Sequence, residues 1–148
     1  MPPQCTQHKF LDDAKRLYEY VKKGDTFCDY ANGILDSIPI SSDWVGPGWY
    51  RVTGEAGTQL STHVYEFVWG SSNDGTCGTH FGSHIIGTHP DTTGQTITMK
   101  VCFLLDCHGE KEHDIDVTNC GGYYVYNLKG MTGCSWRYCT QGGFFVYP

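Results

Sequence analysis

Three histidines, His80, His84 and His89, fall close together in one glycine-rich stretch, and His108 and His113 follow Cys107. Neutral imidazoles at such spacing could hold zinc or copper. The run His80-Phe81-Gly82-Ser83-His84 has the i, i+4 spacing of metalloprotease helices. It lacks the glutamate that serves as base there, and its glycines oppose a helix. Loop histidines hydrogen-bonded to backbone or solvent are therefore the preferred reading, and no cofactor is expected. If a metal is held at all, His80, His84 and His89 are its ligands.

The eight cysteines pose the same choice between metal and structure. Thiols at this density are spent on metals in a reducing cytosol and pair in an oxidising compartment. Zinc sites favour close pairs such as Cys-x2-Cys. Here the closest spacings are Cys102-x4-Cys107 and Cys134-x4-Cys139, and the other four are scattered. We expect four disulfides and no thiol nucleophile, although spacing alone leaves 105 pairings open. Carboxylates at Asp12, Asp13, Glu110, Glu112, Asp114 and Asp116 could do acid–base work. Nothing places them in a cleft, so they read as solvated charge. There is no nucleophile elbow, phosphate-cradling loop or dinucleotide fingerprint. The chain does not read as an enzyme.

Aromatic residues are the useful surplus, with four tryptophans and ten tyrosines. Exposed aromatics suit sugar or protein surfaces because they offer rigid amphipathic area. Trp49 and Tyr50 read as core. Trp44, beside Asp43 in a loop, is expected at the surface. In a regular strand Tyr124 and Tyr126 face opposite to Tyr123 and Val125, so one pair is exposed. The candidate ligand-contacting set is Trp44, Tyr124, Tyr126, His80, His84 and His89.

The elements that must position these groups follow from periodicity. Phe10, Leu11, Ala14, Leu17, Tyr18 and Val21 share one helical face, with Thr6 as cap, Lys22 and Lys23 in the last turn and Gly24 as stop. Strands are expected at Trp49–Thr53, His63–Trp69, Thr96–Leu105, Asp114–Thr118, Tyr123–Leu128 and Phe144–Tyr147. Asp114–Thr118 alternates cleanly, which predicts one wet face. Gly70 to Gly94 reads as a long loop pinned by Cys77. The length of 148 residues suits one domain, and 18% charged residues with 19 glycines favour strands and turns. The expected fold class is α+β: one N-terminal helix packed on a mainly antiparallel, disulfide-locked sheet, spanning 1–148 as a single domain. The net charge is −6, and no basic run exceeds Lys22-Lys23, which argues against nucleic acid or anionic membrane as partner. No stretch approaches the ~20 apolar residues of a membrane span. The start, Met1-Pro2-Pro3-Gln4, carries no secretory signal. The disulfide reading therefore implies an extracellular protein whose leader precedes this sequence.

Gly48-Trp49-Tyr50-Arg51, Cys77-Gly78-Thr79-His80, Gly87-Thr88-His89-Pro90, Cys120–Leu128 and Tyr138-Cys139 occur in that order. Together they resemble the cysteine-rich domain of the uromodulin and zymogen-granule glycoprotein 2 family, from about residue 5 to 140, leaving 141–148 as an extension. The resemblance implies the pairs Cys5–Cys120, Cys28–Cys134, Cys77–Cys139 and Cys102–Cys107. Those relatives carry two further cysteines, upstream of the Cys77 position and beside the Cys107 position. Both are absent here, so one bridge is missing as a unit. In the same relatives the domain presents a mannose-rich glycan to bacterial adhesins. Asn32, Asn73, Asn119 and Asn127 all lack the Asn-x-Ser/Thr acceptor pattern, so that role does not transfer. The resulting expectation is a secreted recognition module for a glycan or glycoprotein. A disulfide-locked assembly block, able to form homo-oligomers through the C-terminal strand, is the alternative, and a histidine metal site is a third.

Overall fold

The computed structural model describes residues 1–20, 26–31, 39–64, 75–103, 107, 112–132 and 136–142. Its scaffold is a seven-stranded sheet curved into a half-barrel. In chain order the strands are β1 (Lys9–Leu11), β2 (Gly48–Val52), β3 (Gln59–Leu60), β4 (Phe81–Ile86), β5 (Thr96–Phe103), β6 (Glu112–Asn119), β7 (Tyr124–Leu128), β8 (Trp136–Arg137) and β9 (Thr140–Gln141). The large sheet runs β1-β2-β7-β6-β5-β4-β8, and β3 pairs with β9 as a separate ribbon. The outermost pairs, β1–β2 and β4–β8, are parallel, and the pairs between them are antiparallel.

Alternation explains the middle of this sheet. In β6, Ile115 and Val117 point into the core while Asp114 and Asp116 are exposed. Register carries the same face across the neighbours: Val117 lies opposite Tyr126, and Tyr126 opposite Tyr50. With Leu11, Val52, Val101, Phe103 and Leu128 these build the main core, closed by Trp44, Leu60, Met131 and Tyr138 from the connecting segments. The other face carries a smaller cluster of Cys5, Cys120 and Val125, with Trp49 and Tyr123 packed against it.

The N-terminal segment corrects the expected fold class. Among the described residues the helical pieces are single 3-10 turns at Pro3–Cys5, Ala14–Arg16 and Gly54–Ala56. The fold is mainly β, and no helix packs on the sheet. The part of the expected helix from Val21 to Gly24 lies outside the described residues. Three tertiary partners override the 3.6-residue pattern, which is only a weak prior. Leu11 pairs with Val52. Asp43 Oδ2 accepts the backbone N–H groups of Asp12 and Asp13. Arg16, which a helix would have turned towards solvent, is fully buried. Asp13 then caps a single turn by accepting from the Lys15 N–H, a local competition with helix that aspartate is suited to. Thr6 closes the Pro3–Cys5 turn from its C-terminal side instead of capping a helix.

The strands expected at Trp49–Thr53, Asp114–Thr118 and Tyr123–Leu128 appear as β2, β6 and β7, each shifted or extended by a residue or two. Thr96–Leu105 appears as β5, described as far as Phe103. His63 and Val64 are not in a strand, and 65–70 and 143–148 lie outside the described residues. The expected long loop contains β4. Gly82, Ser83, His84 and Ile85 are all buried, so both faces are covered and no alternation marks the strand. Ser83 Oγ accepts the Cys139 N–H.

Disulfides join Cys5 to Cys120, Cys77 to Cys139 and Cys102 to Cys107. Cys28 is disulfide-bonded as well, and Cys134, the partner the resemblance implies, lies outside the described residues. The first bridge ties the N-terminal turn to the loop before β7. The second fastens β4's approach to the strand end after β8.

Candidate functional site

The expected ligand-contacting residues scatter. Trp44 is 2% exposed and stacks flat on Tyr50, with ring centroids 5.1 Å apart. Its indole N–H donates to the Tyr30 carbonyl, so the polar edge that would have favoured a surface position is satisfied inside. Trp44 is therefore a core residue, a correction to its expected place at the surface. Tyr126 is fully buried too. Its hydroxyl accepts from the Leu60 N–H and lies 2.8 Å from His89 Nε2. A hydroxyl that already accepts there directs its own proton to Nε2, which makes His89 an acceptor in its neutral form. Burial lowers the His89 pKa to about 4. Tyr124 is half-buried against the same imidazole, 4.5 Å away.

His80, His84 and His89 do not converge among the described residues. His84 lies opposite Cys102 in β4, and burial, then the nearby His63 charge, lowers its pKa. Its ring atoms gather with the sulfurs of Cys102 and Cys107, but those sulfurs are bonded to each other and offer no thiolate. His80 packs beside Phe81. Asp114 and Asp116 are exposed, and Asp116 accepts from Thr98.

A different set does converge, on the outer face of the sheet. β1 places Phe10 opposite Arg51 of β2, and β2 places Arg51 opposite Val125 of β7. Because alternate residues share a face, Phe10, Trp49, Arg51 and Val125 all look outwards while Leu11, Tyr50 and Tyr126 look in. The Cys5–Cys120 bridge packs beneath this surface. Tyr123, three residues after Cys120, folds over it and donates its hydroxyl to the Cys5 carbonyl. The Arg51 guanidinium lies over the Tyr123 ring, 3.9 Å from its centroid, a stacking that planar guanidinium favours. His8 fills the side, its ring 5.2 Å from Phe10 and 5.8 Å from Tyr123, with Nδ1–H donating to the Gln4 carbonyl. Phe10 is 50% exposed.

Beside this patch opens a depression of about 220 Å3, walled by Arg51, Tyr123, Thr53, Gly54, Gly57 and Gly122. Arg51 Nε is buried there without a hydrogen-bond partner. The other two arginines are engaged. Arg16 binds Asp29 and Asp43, and Arg137 binds Asp13, Ser41 and the Cys77 carbonyl. Among the described residues Arg51 has no carboxylate partner.

Sequence reasoning passes over His8 and Arg51, sets Phe10 on a buried helical face and places Trp49 in the core. A signal is present, since the outward pair of the Tyr123–Tyr126 strand has to be one of two. The Cys5–Cys120 bridge, by packing under Val125, makes Tyr123 the outer residue.

The sequence model of the uromodulin-like, cysteine-rich domain family matches residues 50–140. The chain is 30% identical over 142 residues to the uromodulin of Rattus norvegicus, covering 94% of this chain and 20% of that protein. It is 28% identical over 145 residues to the pancreatic secretory granule membrane major glycoprotein GP2 of Mus musculus, covering 93% of this chain and 23% of that protein. With the uromodulin of Mus musculus the identity is 27% over 121 residues, covering 79% and 17%. The chain spans about a fifth of the length of these curated relatives.

Proposed function

Because the chain belongs to the uromodulin-like cysteine-rich domain family, whose relatives here are secreted or extracellular glycoproteins without enzymatic activity, we propose that it is a secreted, non-catalytic recognition module for a glycan or glycoprotein. Among the described residues no helix is long and apolar enough to cross a membrane. The observation that carries the reading is Phe10, half exposed beside the stacked Arg51–Tyr123 pair at the mouth of a depression. Apolar ring faces take the C–H face of a sugar, and a guanidinium edge takes its oxygens, so the patch combines the two contacts such ligands need. A rigid support under it lowers the ordering cost of binding, and the Cys5–Cys120 bridge supplies that support.

The test is a broad glycan array together with a panel of glycosylated and enzymatically deglycosylated surface proteins, probed with the wild type and Phe10→Ala. Binding at micromolar levels that falls about tenfold in Phe10→Ala, with an unchanged melting temperature, is the expected result. Blank arrays and blank protein panels would sink the reading. A second reading, a disulfide-locked block of a coat or matrix, draws on cross-links that close loops of 115 and 62 residues. Sedimentation showing self-association, with no heterologous ligand, would favour it.

A further inference from the structure

Resting on the glycan reading above, we infer that the depression beside Arg51 and Tyr123 binds the anionic group, a carboxylate or a sulfate, of an acidic sugar.

Charge balance makes Arg51 the unusual group. The chain holds 16 acidic residues against 10 lysines and arginines, so carboxylates are in excess. Arg16 and Arg137 have taken theirs, and Arg51 has none among the described residues. It is held instead by an uncharged partner, the Tyr123 ring at 3.9 Å. Stacking fixes the guanidinium plane but leaves its edge donors unspent, because a cation–π contact uses the face and hydrogen bonds use the edge. One of those donors, Nε, is buried and unpartnered in the wall of the depression. A buried donor left unmade costs free energy, so the site is poised for an acceptor. A planar or tetrahedral oxyanion meets the fork with two parallel N–H···O bonds, which neutral hydroxyls match less well.

Size argues for one sugar unit. A volume of about 220 Å3 is below the 300–1,000 Å3 of drug-sized sites, which suits a terminal residue or its charged substituent. Phe10 stands outside the depression and can stack on the ring that follows. Glu55 follows Gly54 in the rim turn, and the Asp12 side chain approaches Gly54 from the other side. These carboxylates disfavour anions that lack the two-pronged contact with Arg51, which turns the site from a general anion trap into a selective one.

The experiment titrates the full chain with N-acetylneuraminate, glucuronate, 6-sulfo-N-acetylglucosamine and neutral galactose, reading the Arg51 Nε–Hε resonance by nuclear magnetic resonance. The same array of acidic and neutral glycans is run with Arg51→Lys and Arg51→Ala. A saturable shift with an acidic sugar and none with galactose, and at least a tenfold loss of acidic-glycan binding in both variants, is expected. A response to the first two sugars alone assigns a carboxylate, and to the third alone a sulfate. Binding of neutral glycans only, unaltered in Arg51→Lys, would overturn the inference and leave the recognition reading standing. No glycan bound by the wild type would overturn both. Should Arg51→Ala fail to fold, the resonance titration of the wild type still decides.

Discussion

Both terminal nitrogens of Arg16 donate to the two carboxylate oxygens of Asp29, Nη1 to Oδ2 and Nη2 to Oδ1, each at 2.8 Å, with neither side chain exposed. Asp43 accepts from Nε and Nη2 of the same guanidinium, and the Tyr138 carbonyl accepts from Nη1. One cation thus holds together the N-terminal turn, two loop segments and the end of β8.

Removing that cation strands two buried carboxylates. Arg16→Ala should destabilise the fold by about 3–5 kcal/mol, the range for breaking a buried pair. Arg16→Lys should recover only part of the loss, because an ammonium cannot match the two-pronged contact with Asp29. Urea denaturation with an unchanged m-value checks both. A loss below about 1 kcal/mol in Arg16→Ala, the range of an exposed pair, would show that the network carries no weight.

Stability should fall as the pH drops, in two stages. Burial holds the folded His89 imidazole at a pKa of about 4 against 6.5, and burial does the same for His113. The unfolded chain then binds more protons, so the stability present above 6.5 is lost as pH falls towards 4. His89→Gln, which does not titrate, should flatten the slope between pH 7 and 5 by on the order of 1–2 kcal/mol.

The second stage belongs to Asp43. Burial alone would raise its pKa, but the Arg16 hydrogen bonds and charge, with the Asp13 N–H, overcome burial and hold it below 3.8. That contribution is present above 3.8 and disappears as pH falls through the lowered folded value. Asp43→Asn should be less stable at pH 7 and closer to wild type at pH 2. An equal deficit at both values would refute the assignment.

The disulfides should contribute unequally. On the chain-entropy account, the bridge closing 115 residues between Cys5 and Cys120 gives about 5 kcal/mol, and the one closing 5 residues between Cys102 and Cys107 about 2 kcal/mol. Paired serine substitutions at each bridge, compared by thermal denaturation, should rank in that order. The Cys5/Cys120 double variant should also lose glycan binding, since its bridge supports Tyr123 and Val125.

Two glycines should respond to alanine for different reasons. A Cβ at Gly82 would collide with Thr76 Cγ2 and lie 2.5 Å from Cys139 Sγ, a sulfur pinned by its bond to Cys77. Gly82→Ala should therefore cost about 3 kcal/mol or more, the upper end of ordinary overpacking. Gly94 has open space but a φ of +87°, so Gly94→Ala should cost only the left-handed backbone penalty, about 1–2 kcal/mol. Urea denaturation of the two variants compares them, and similar losses at both sites would mean that space at Gly82 is not the constraint.

The sequence by itself determined what local spacing and cysteine content can carry. Alternation marked β2, β6 and β7, because one wet and one dry face imprint a period of two. Eight cysteines without close pairs pointed to an extracellular, disulfide-locked domain, and ordered motifs pointed to its family. Tertiary structure decided everything that depended on partners far along the chain. The apolar spacing over residues 10–21 is as good as many real helices. It yields to strand pairing with Val52 and to Asp29 and Asp43, none of which a local pattern can register. Trp44 turned inward because the Tyr30 carbonyl and the Tyr50 ring were there to receive it. Arg51 stood out only once Arg16 and Arg137 were seen to be paired, the latter with Asp13 across 124 positions. Charge balance around a side chain is a property of three-dimensional neighbours, and composition records only its sum.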